Sequence, residues 1–324
     1  MADERHLVLG GAGFLGCNLA RALLARGDTV VCVDNLVTGG IDRIEALLRD
    51  ARFKFIRGDV AEVLHRGVVE RVDVIWQLAA LASPVHYFKR PLDTASAGAD
   101  AQRAALAFAA DHAAKFFYSS TSELYSNADV IPTPETYIGR INPLSLRAPY
   151  DVSKAYGETI ACIYARETGL DTRIARIHNS FGPWMPASDG RVVAAYIGAA
   201  VKGQPIPLHG DGLQTRSFCY VDDTIAGMLA IMDAPKRTFA GLPNPPVLNL
   251  GNPEEITMKA LAEMCWAAVR QDPLRVQALP ENPDDPRRRS PDITRIHTLV
   301  GWSPKVSLAE GLKRTANWFL HGLT

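Results

Sequence analysis

Gly10, Gly13 and Gly16 leave this chain few options, because they follow an apolar run at 6–10 and open a helical pattern over 14–26. A turn that joins strand to helix this tightly needs residues without a Cβ. The helix N-terminus then offers free N–H groups and a partial positive charge. Such a turn approaches the pyrophosphate of a dinucleotide, and Phe14 and Leu15 ride between its glycines. The next apolar run, 29–34, ends on Asp34, placed to accept hydrogen bonds from an adenosine ribose. Asn35 follows where an arginine would pair a 2′-phosphate, so NAD is expected rather than NADP. Thr38 and Gly39, Asp59 and Val60, and Leu78 and Ala79 follow the second, third and fourth runs. They are expected to complete the cofactor site.

The apolar runs continue at 53–56, 72–77, 115–119 and 172–177, with helical patterns at 14–26, 99–112 and 150–168. Short runs rich in Val, Ile and Phe, separated by helices, indicate a parallel sheet covered on both faces. The expected fold class is α/β, a Rossmann-type doubly wound sheet with a smaller C-terminal α/β lobe. After residue 177 the order loosens. A helix is expected at 192–202, another from about 222, a strand at 247–250 and a helix after Thr257. Residues 236–246 and 280–291 read as loops, and Ser307 with Glu310 as a capping box on the last helix. The expected division is 1–178 with about 218–250 for the cofactor, and 179–217 with 251–324 for the substrate.

A chain of 324 residues with 47% hydrophobic residues can bury a sizeable core. Net charge is zero, so no electrostatic footprint of a nucleic-acid binder is present. No apolar run reaches the length of a membrane span, and the charged start carries no signal-peptide pattern. The five cysteines are scattered and form no CxxC pair. They read as reduced thiols of a cytoplasmic protein, with no metal site expected.

Tyr150 and Lys154 have the spacing Y-x-x-x-K, which puts them one helical turn apart on one face. A tyrosine near pKa 10 is a poor base at neutral pH; an adjacent ammonium lowers that pKa. The phenolate then takes a hydroxyl proton while hydride leaves for the cofactor. The run at 115–119 leads into Ser120-Thr121-Ser122-Glu123, so hydroxyls sit at the carboxyl end of a strand, where ligands bind. The same residues also suit a plain Ser/Thr helix cap.

With these stretches in view the chain resembles the extended short-chain dehydrogenase/reductase superfamily, and within it the UDP-glucuronic acid decarboxylases. The resemblance covers nearly the whole chain. It is carried by STSELY at 120–125, NP at 142–143, YDVSK at 150–154, ARIHNSFGP at 175–183 and DGRVV at 189–193. GDGLQTRSFCYVDD at 210–223, LGNPEE at 250–255, DDPRRRSPDI at 284–293 and GWSP near Trp302 add to it. The resemblance implies oxidation of the sugar at C4 by NAD, loss of CO2 from the resulting β-keto acid, and return of the hydride. It implies Tyr150 and Lys154 as the redox pair and Thr121 as the hydroxyl on the C4 oxygen. Ser122 and Glu123 would orient the sugar, and Arg289 would face its carboxylate. Pro84, Tyr87, Asn179, Arg191, His209 and Arg216 would hold the UDP-sugar. It further implies a homodimer through helices 99–112 and 150–168. The segment 80–87, His209 and Trp184 depart from the family's usual residues. Alternatives are a UDP-glucuronate 4-epimerase, a decarboxylase that releases the 4-keto pentose, and a non-catalytic NAD sensor. A 4,6-dehydratase is disfavoured because Ser122 stands where those enzymes carry an aspartate.

Overall fold

Strands buried on both sides form a sheet that helices must cover on both faces, and the apolar runs of the first half do this. The computed structural model describes residues 3–281 and 286–322. Its first half alternates β1 (Arg5–Leu9), β2 (Thr29–Asp34), β3 (Phe53–Arg57), β4 (Val74–Gln77), β5 (Lys115–Thr121) and β6 (Thr172–Ile177) with helices. These are α1 (Phe14–Ala25), α2 (Val60–His65), α3 (Pro84–Lys89), α4 (Pro91–His112) and α5 (Ala148–Thr168). The second half holds the short strands β7 (Ser180–Phe181), β8 (Ile206–His209), β9 (Thr215–Ser217) and β10 (Cys219–Tyr220), and β11 (Val247–Leu250). It also holds α6 (Val192–Val201) and α7 (Val221–Asp233).

A seven-stranded sheet has the order β11-β6-β5-β4-β1-β2-β3, and every pair is parallel. Strand order reverses between β1 and β4, which opens a crevice at their carboxyl ends. Alternate side chains serve opposite faces. Val8, Cys32, Trp76 and Phe117 join one apolar cluster with α1 and α7; Leu7, Val31, Ile75 and Phe116 join the other with α2, α4 and α5.

The smaller lobe adds β12 (Glu255–Thr257), β13 (Val276–Leu279), β14 (Arg288–Arg289), α8 (Met258–Ala267), α9 (Thr294–Val300) and α10 (Leu308–His321). Its strands pair as β12-β9-β14, β13-β8 and β10-β7. Helices α6, α8 and α10 close over a shared core that includes Ile197, Leu261 and Leu312. Among the described residues no helix is long and apolar enough to cross a membrane.

One buried side chain ties distant segments together. Asn249 on β11 accepts from the Tyr125 hydroxyl at 2.7 Å and donates to the carbonyls of Thr133 and Asp292 at 2.9 and 3.0 Å. Its backbone N–H donates to Glu135 at 2.8 Å.

The structure departs from the sequence reading in places. Helix α4 begins at Pro91, eight residues before the expected 99, with proline at the first turn, where a missing N–H is harmless. Its first turns are polar, so no apolar period marks them. The 280–291 stretch contains β14, which pairs with β9; Asp284 and Asp285 of that stretch lie outside the described residues. Residues 236–246 contain a 3-10 turn at Lys236–Phe239 that buries Phe239 beneath the Arg173 guanidinium. Ser307 accepts from the Glu310 N–H at 3.3 Å, as a cap should, but the Glu310 carboxylate accepts from Arg314 at 2.8 Å. Only half of the capping box forms.

Candidate active site

The turn after β1 is built on close backbone approach. Gly10 has φ +80, and a Cβ there would lie 2.8 Å from Ala79 Cα. A Cβ on Gly16 would run into the Gly10 carbonyl oxygen. Gly13 caps α1 without any side chain, so the first N–H groups of the helix face outward. Asp34 accepts from the N–H groups of Ala12 and Leu36 at 3.0 and 2.8 Å. Burial raises its pKa, and those two donors oppose the shift. This cradle fits a dinucleotide. Gly16→Ala is expected to weaken NAD binding by roughly tenfold or more, since about 1.4 kcal/mol of backbone displacement suffices. Titration with NAD checks it, and unchanged affinity would show that the turn yields without loss.

One cavity of about 560 Å³ runs from this turn to the smaller lobe. Gly10, Gly13, Phe14, Leu15, Gly16, Thr38 and Leu78 of the expected cofactor set line it. A smaller cavity beside it is lined by Asp34, Asn35, Asp59, Val60 and Ala79. Gly39 lines neither; it lies beneath Asp34, where a Cβ would meet the carboxylate. Asp59 also caps α2, accepting from Ala61 N–H at 3.0 Å, so the turn reading and the cofactor reading coexist there. Arg43, which no sequence signal marked, lines the large cavity and donates to the carbonyls of Ala12 and Thr38 at 3.3 Å each.

All six expected catalytic residues share the large cavity. Tyr150 and Lys154 project from α5 and are buried. Lys154 Nζ donates to the Ser119 carbonyl at 2.7 Å and lies 5.9 Å from the Tyr150 ring centre. Burial pulls the Lys154 ammonium down to about 8, against the pull of Glu158. Burial pushes the Tyr150 phenol well above 10, with the Thr121 hydroxyl opposing. Desolvation is the largest influence on the phenol here, and it acts opposite to the lowering expected from a nearby ammonium. Tyr87 stacks on Tyr150, with ring centres 5.5 Å apart and planes 10° apart.

Thr121 ends β5 and accepts from the Glu123 N–H at 3.2 Å, so it caps the 3-10 turn Ser122–Tyr125 while facing the cavity. Glu123 is held from two sides. Arg289 on β14 donates to both of its oxygens, and Arg147 donates to Oε2 at 2.5 Å. Burial works to raise this carboxyl, but Arg289 and Arg147 together bring it to about 2. Arg289 therefore pairs with Glu123, a partner that the sequence reading did not assign to it.

Asp151, next to Tyr150, is moved the other way. Burial and the Glu123 charge push it up to about 7, against Arg147 and Arg289. The linkage sign follows: a folded-state pKa of about 7 exceeds the unfolded 3.8. Folding therefore takes up a proton, and stability present below 3.8 is lost as pH rises through 7. Asp151→Asn is expected to gain thermal stability over the wild type near pH 8, on the order of a few kcal/mol, and little near pH 4. Melting curves at both pH values decide it, and a pH-independent difference would rule this out.

Among the expected substrate residues, Pro84, Tyr87, Asn179, Arg191, His209 and Arg216 all line the large cavity. Asn179 donates to the Ser217 carbonyl at 3.2 Å. Arg191 pairs with Asp189 and lies over the Phe14 ring. His209 Nδ1 donates to the Pro280 carbonyl at 3.0 Å. Arg216 donates to the Thr215 carbonyl at 2.7 Å. His178 is an addition: it lines the cavity, and burial, followed by Arg289, brings it down to about 3, so it stays neutral.

Comparison with known proteins agrees with this geometry. The model of the NAD dependent epimerase/dehydratase family matches residues 6–251. UDP-glucuronic acid decarboxylase 1 of Arabidopsis thaliana is 40% identical over 97% of this chain and 69% of its own length. UDP-glucuronic acid decarboxylase 5 of the same plant is 39% identical over 96% of this chain and 88% of its own. A solved UDP-glucuronic acid 4-epimerase mutant from Bacillus cereus, with NAD and a fluorinated UDP-sugar acid, superposes with a TM-score of 0.86. It is 27% identical and covers 97% of this chain and 98% of that one. A dTDP-glucose 4,6-dehydratase from Streptomyces venezuelae, with NAD bound, gives 0.85 at 28% identity over 97% and 96%. The chain belongs to the NAD dependent epimerase/dehydratase family of the extended short-chain dehydrogenases/reductases, enzymes built around an NAD-type cofactor site.

Proposed function

We propose that the enzyme decarboxylates UDP-glucuronate through a 4-keto intermediate, giving UDP-xylose or the UDP-4-keto-pentose, with NAD rather than NADP as cofactor. One observation carries the reading: Arg289 and Glu123 share a cavity wall with Tyr150, Lys154 and Thr121. An alcohol-oxidising pair thus faces a guanidinium suited to a sugar carboxylate.

Held at the glycine turn and Asp34, NAD would supply the acceptor and later the donor of the C4 hydride. Tyr150 takes the C4 hydroxyl proton, Lys154 holds positive charge behind the phenolate, and Thr121 hydrogen-bonds the C4 oxygen. The ketone makes the acid a β-keto acid. The bond to the carboxyl carbon then breaks, its electrons pass toward the C4 carbonyl, and a proton replaces CO2. Ser122 and Glu123 orient the ring, and Arg289 holds the carboxylate until it leaves. Pro84, Tyr87, Asn179, Arg191, His209 and Arg216 hold the nucleotide sugar. Residues 1–178 with about 218–250 serve the cofactor, and the remainder serve the substrate.

A homodimer in the cytoplasm, packed through α4 and α5, completes the proposal. Val152 and Ile163 on α5 and Leu92 on α4 are exposed apolar side chains of these helices. Sedimentation at micromolar concentration tests it; a monomer would reject it.

The activity test is incubation with UDP-glucuronate and mass spectrometry of the nucleotide products. Loss of CO2 with a pentose nucleotide is expected. An isomer of unchanged mass would instead establish 4-epimerisation, a reading favoured only by the likeness to the Bacillus cereus enzyme. No conversion would reject both.

A further inference from the structure

Arg147, which lines the cavity, and the buried Asp151 one helical turn further along have no part in the chemistry above. Arg147 precedes the first turn of α5, and Asp151 lies one turn on. Arg147 Nη2 donates to Glu123 at 2.5 Å, while Arg289 holds the same carboxylate from β14. Glu123 is thus shared by two guanidiniums that come from distant parts of the chain.

Asp151 lies beside them without joining them. Its Oδ1 is buried and has no hydrogen-bond partner among the described residues. The charged groups that act on it are Glu123, Arg147 and Arg289, and its charge in turn acts on the phenols of Tyr87 on α3 and Tyr150 on α5. A buried carboxylate with an unserved oxygen favours its protonated form. With Asp151 neutral, Arg147 and Arg289 contribute two positive charges and Glu123 one negative, an excess of one. With Asp151 ionised the excess vanishes.

We infer that Asp151 and Arg147 are positioning residues for the acidic sugar. Arg147 gives the Glu123–Arg289 pair a second guanidinium, and the buried Asp151 sets whether that extra positive charge is offset, so that Arg289 serves Glu123 and a ligand carboxylate together. The inference rests on the acid-sugar reading above.

Around neutral pH the other members of the cluster keep their charge. Glu123 sits at about 2, Tyr87 at about 12 and Tyr150 well above 10. Lys154, behind Tyr150, titrates at about 8, so Asp151 must be tested by substitution and not by pH alone.

The test measures binding of UDP-glucuronate and of UDP-xylose, which lacks the carboxylate, to the NAD-loaded protein by calorimetry. A Tyr150→Phe background prevents turnover. From about pH 5.5 to about 8.5, the preference for the acid is expected to fall roughly tenfold as Asp151 ionises. Adding Asp151→Asn should hold the preference high and flat, and adding Arg147→Gln should make it low throughout. A flat parent profile, or an Asp151→Asn profile that falls as the parent's does, overturns the inference while leaving the substrate reading intact. If the parent never prefers the acid, the substrate reading fails. Infrared spectroscopy then decides the charge assignment. A protonated carboxyl band that titrates near neutral pH and is absent from Asp151→Asn upholds it, and lack of that band overturns it.

Discussion

Tyr150→Phe is expected to lower kcat by roughly 10²–10⁴ while NAD affinity and thermal stability stay close to wild type. The substitution removes one oxygen and keeps the ring that stacks on Tyr87. The surrounding frame does not depend on that oxygen: Lys154 is anchored by the Ser119 carbonyl and Thr121 by its own turn. Burial and the Thr121 hydroxyl act on the phenol in opposite directions, and its value to the enzyme lies in exchanging a proton with a bound hydroxyl, not in stabilising the fold. Rates of CO2 release from UDP-glucuronate check this, with calorimetric NAD titration beside them. Turnover within a few-fold of wild type would remove Tyr150 from the proton transfer. Lost NAD affinity would mean that the ring, and not the hydroxyl, was the important part.

Glu123→Ala is expected to destabilise the protein by about 3–5 kcal/mol, the range seen when one partner of a buried ion pair is removed. Here the effect falls on two guanidiniums at once, because Arg147 and Arg289 share the one carboxylate. Arg289 is the more buried of the two and has no other ion pair among the described residues. Glu123→Gln should lose less, since an amide oxygen still accepts from one of them. The loss should also shrink as pH rises toward about 7, because without the Glu123 charge Asp151 ionises at lower pH than in the wild type and answers the stranded cations. Chemical unfolding across pH measures all three effects. Unchanged stability in Glu123→Ala would mean that water replaces the carboxylate without loss.

The glycine turn, the sheet strands up to β6 and the Y-x-x-x-K pair were legible because each signal is local. Parallel strands buried on both faces read as short unbroken apolar runs, and a helical pair reads from its spacing. The start of α4 was hidden because Pro91 and the polar residues after it carry no apolar period. Arg147 was hidden for another reason. It sits 24 residues from Glu123, and Arg289 sits 166 residues away. Only the folded chain shows that the three meet, and without that meeting nothing distinguishes Arg147 from a surface charge. Asp151 stood in plain view inside the YDVSK stretch, yet its raised pKa depends on neighbours that the stretch does not contain. The Tyr150 environment shows the same limit: spacing placed the ammonium nearby, but burial decides the balance of the shift.

The seat of Asn249 has a consequence for how the enzyme is made. A ribosome that has released β1 to β6 has delivered the glycine turn, Asp34, Tyr150 and Lys154. The cofactor half can therefore begin to assemble on the emerging chain. The segment that carries Thr133 and Glu135 still lacks the side chain that holds it, and that side chain arrives only with β11. Arg289 emerges later still. Long-range pairings of this kind close slowly, and domains fold broadly in the order of synthesis. The wall that carries Arg289 is thus among the last parts to take shape, after the glycine turn, Asp34, Tyr150 and Lys154 have all been delivered.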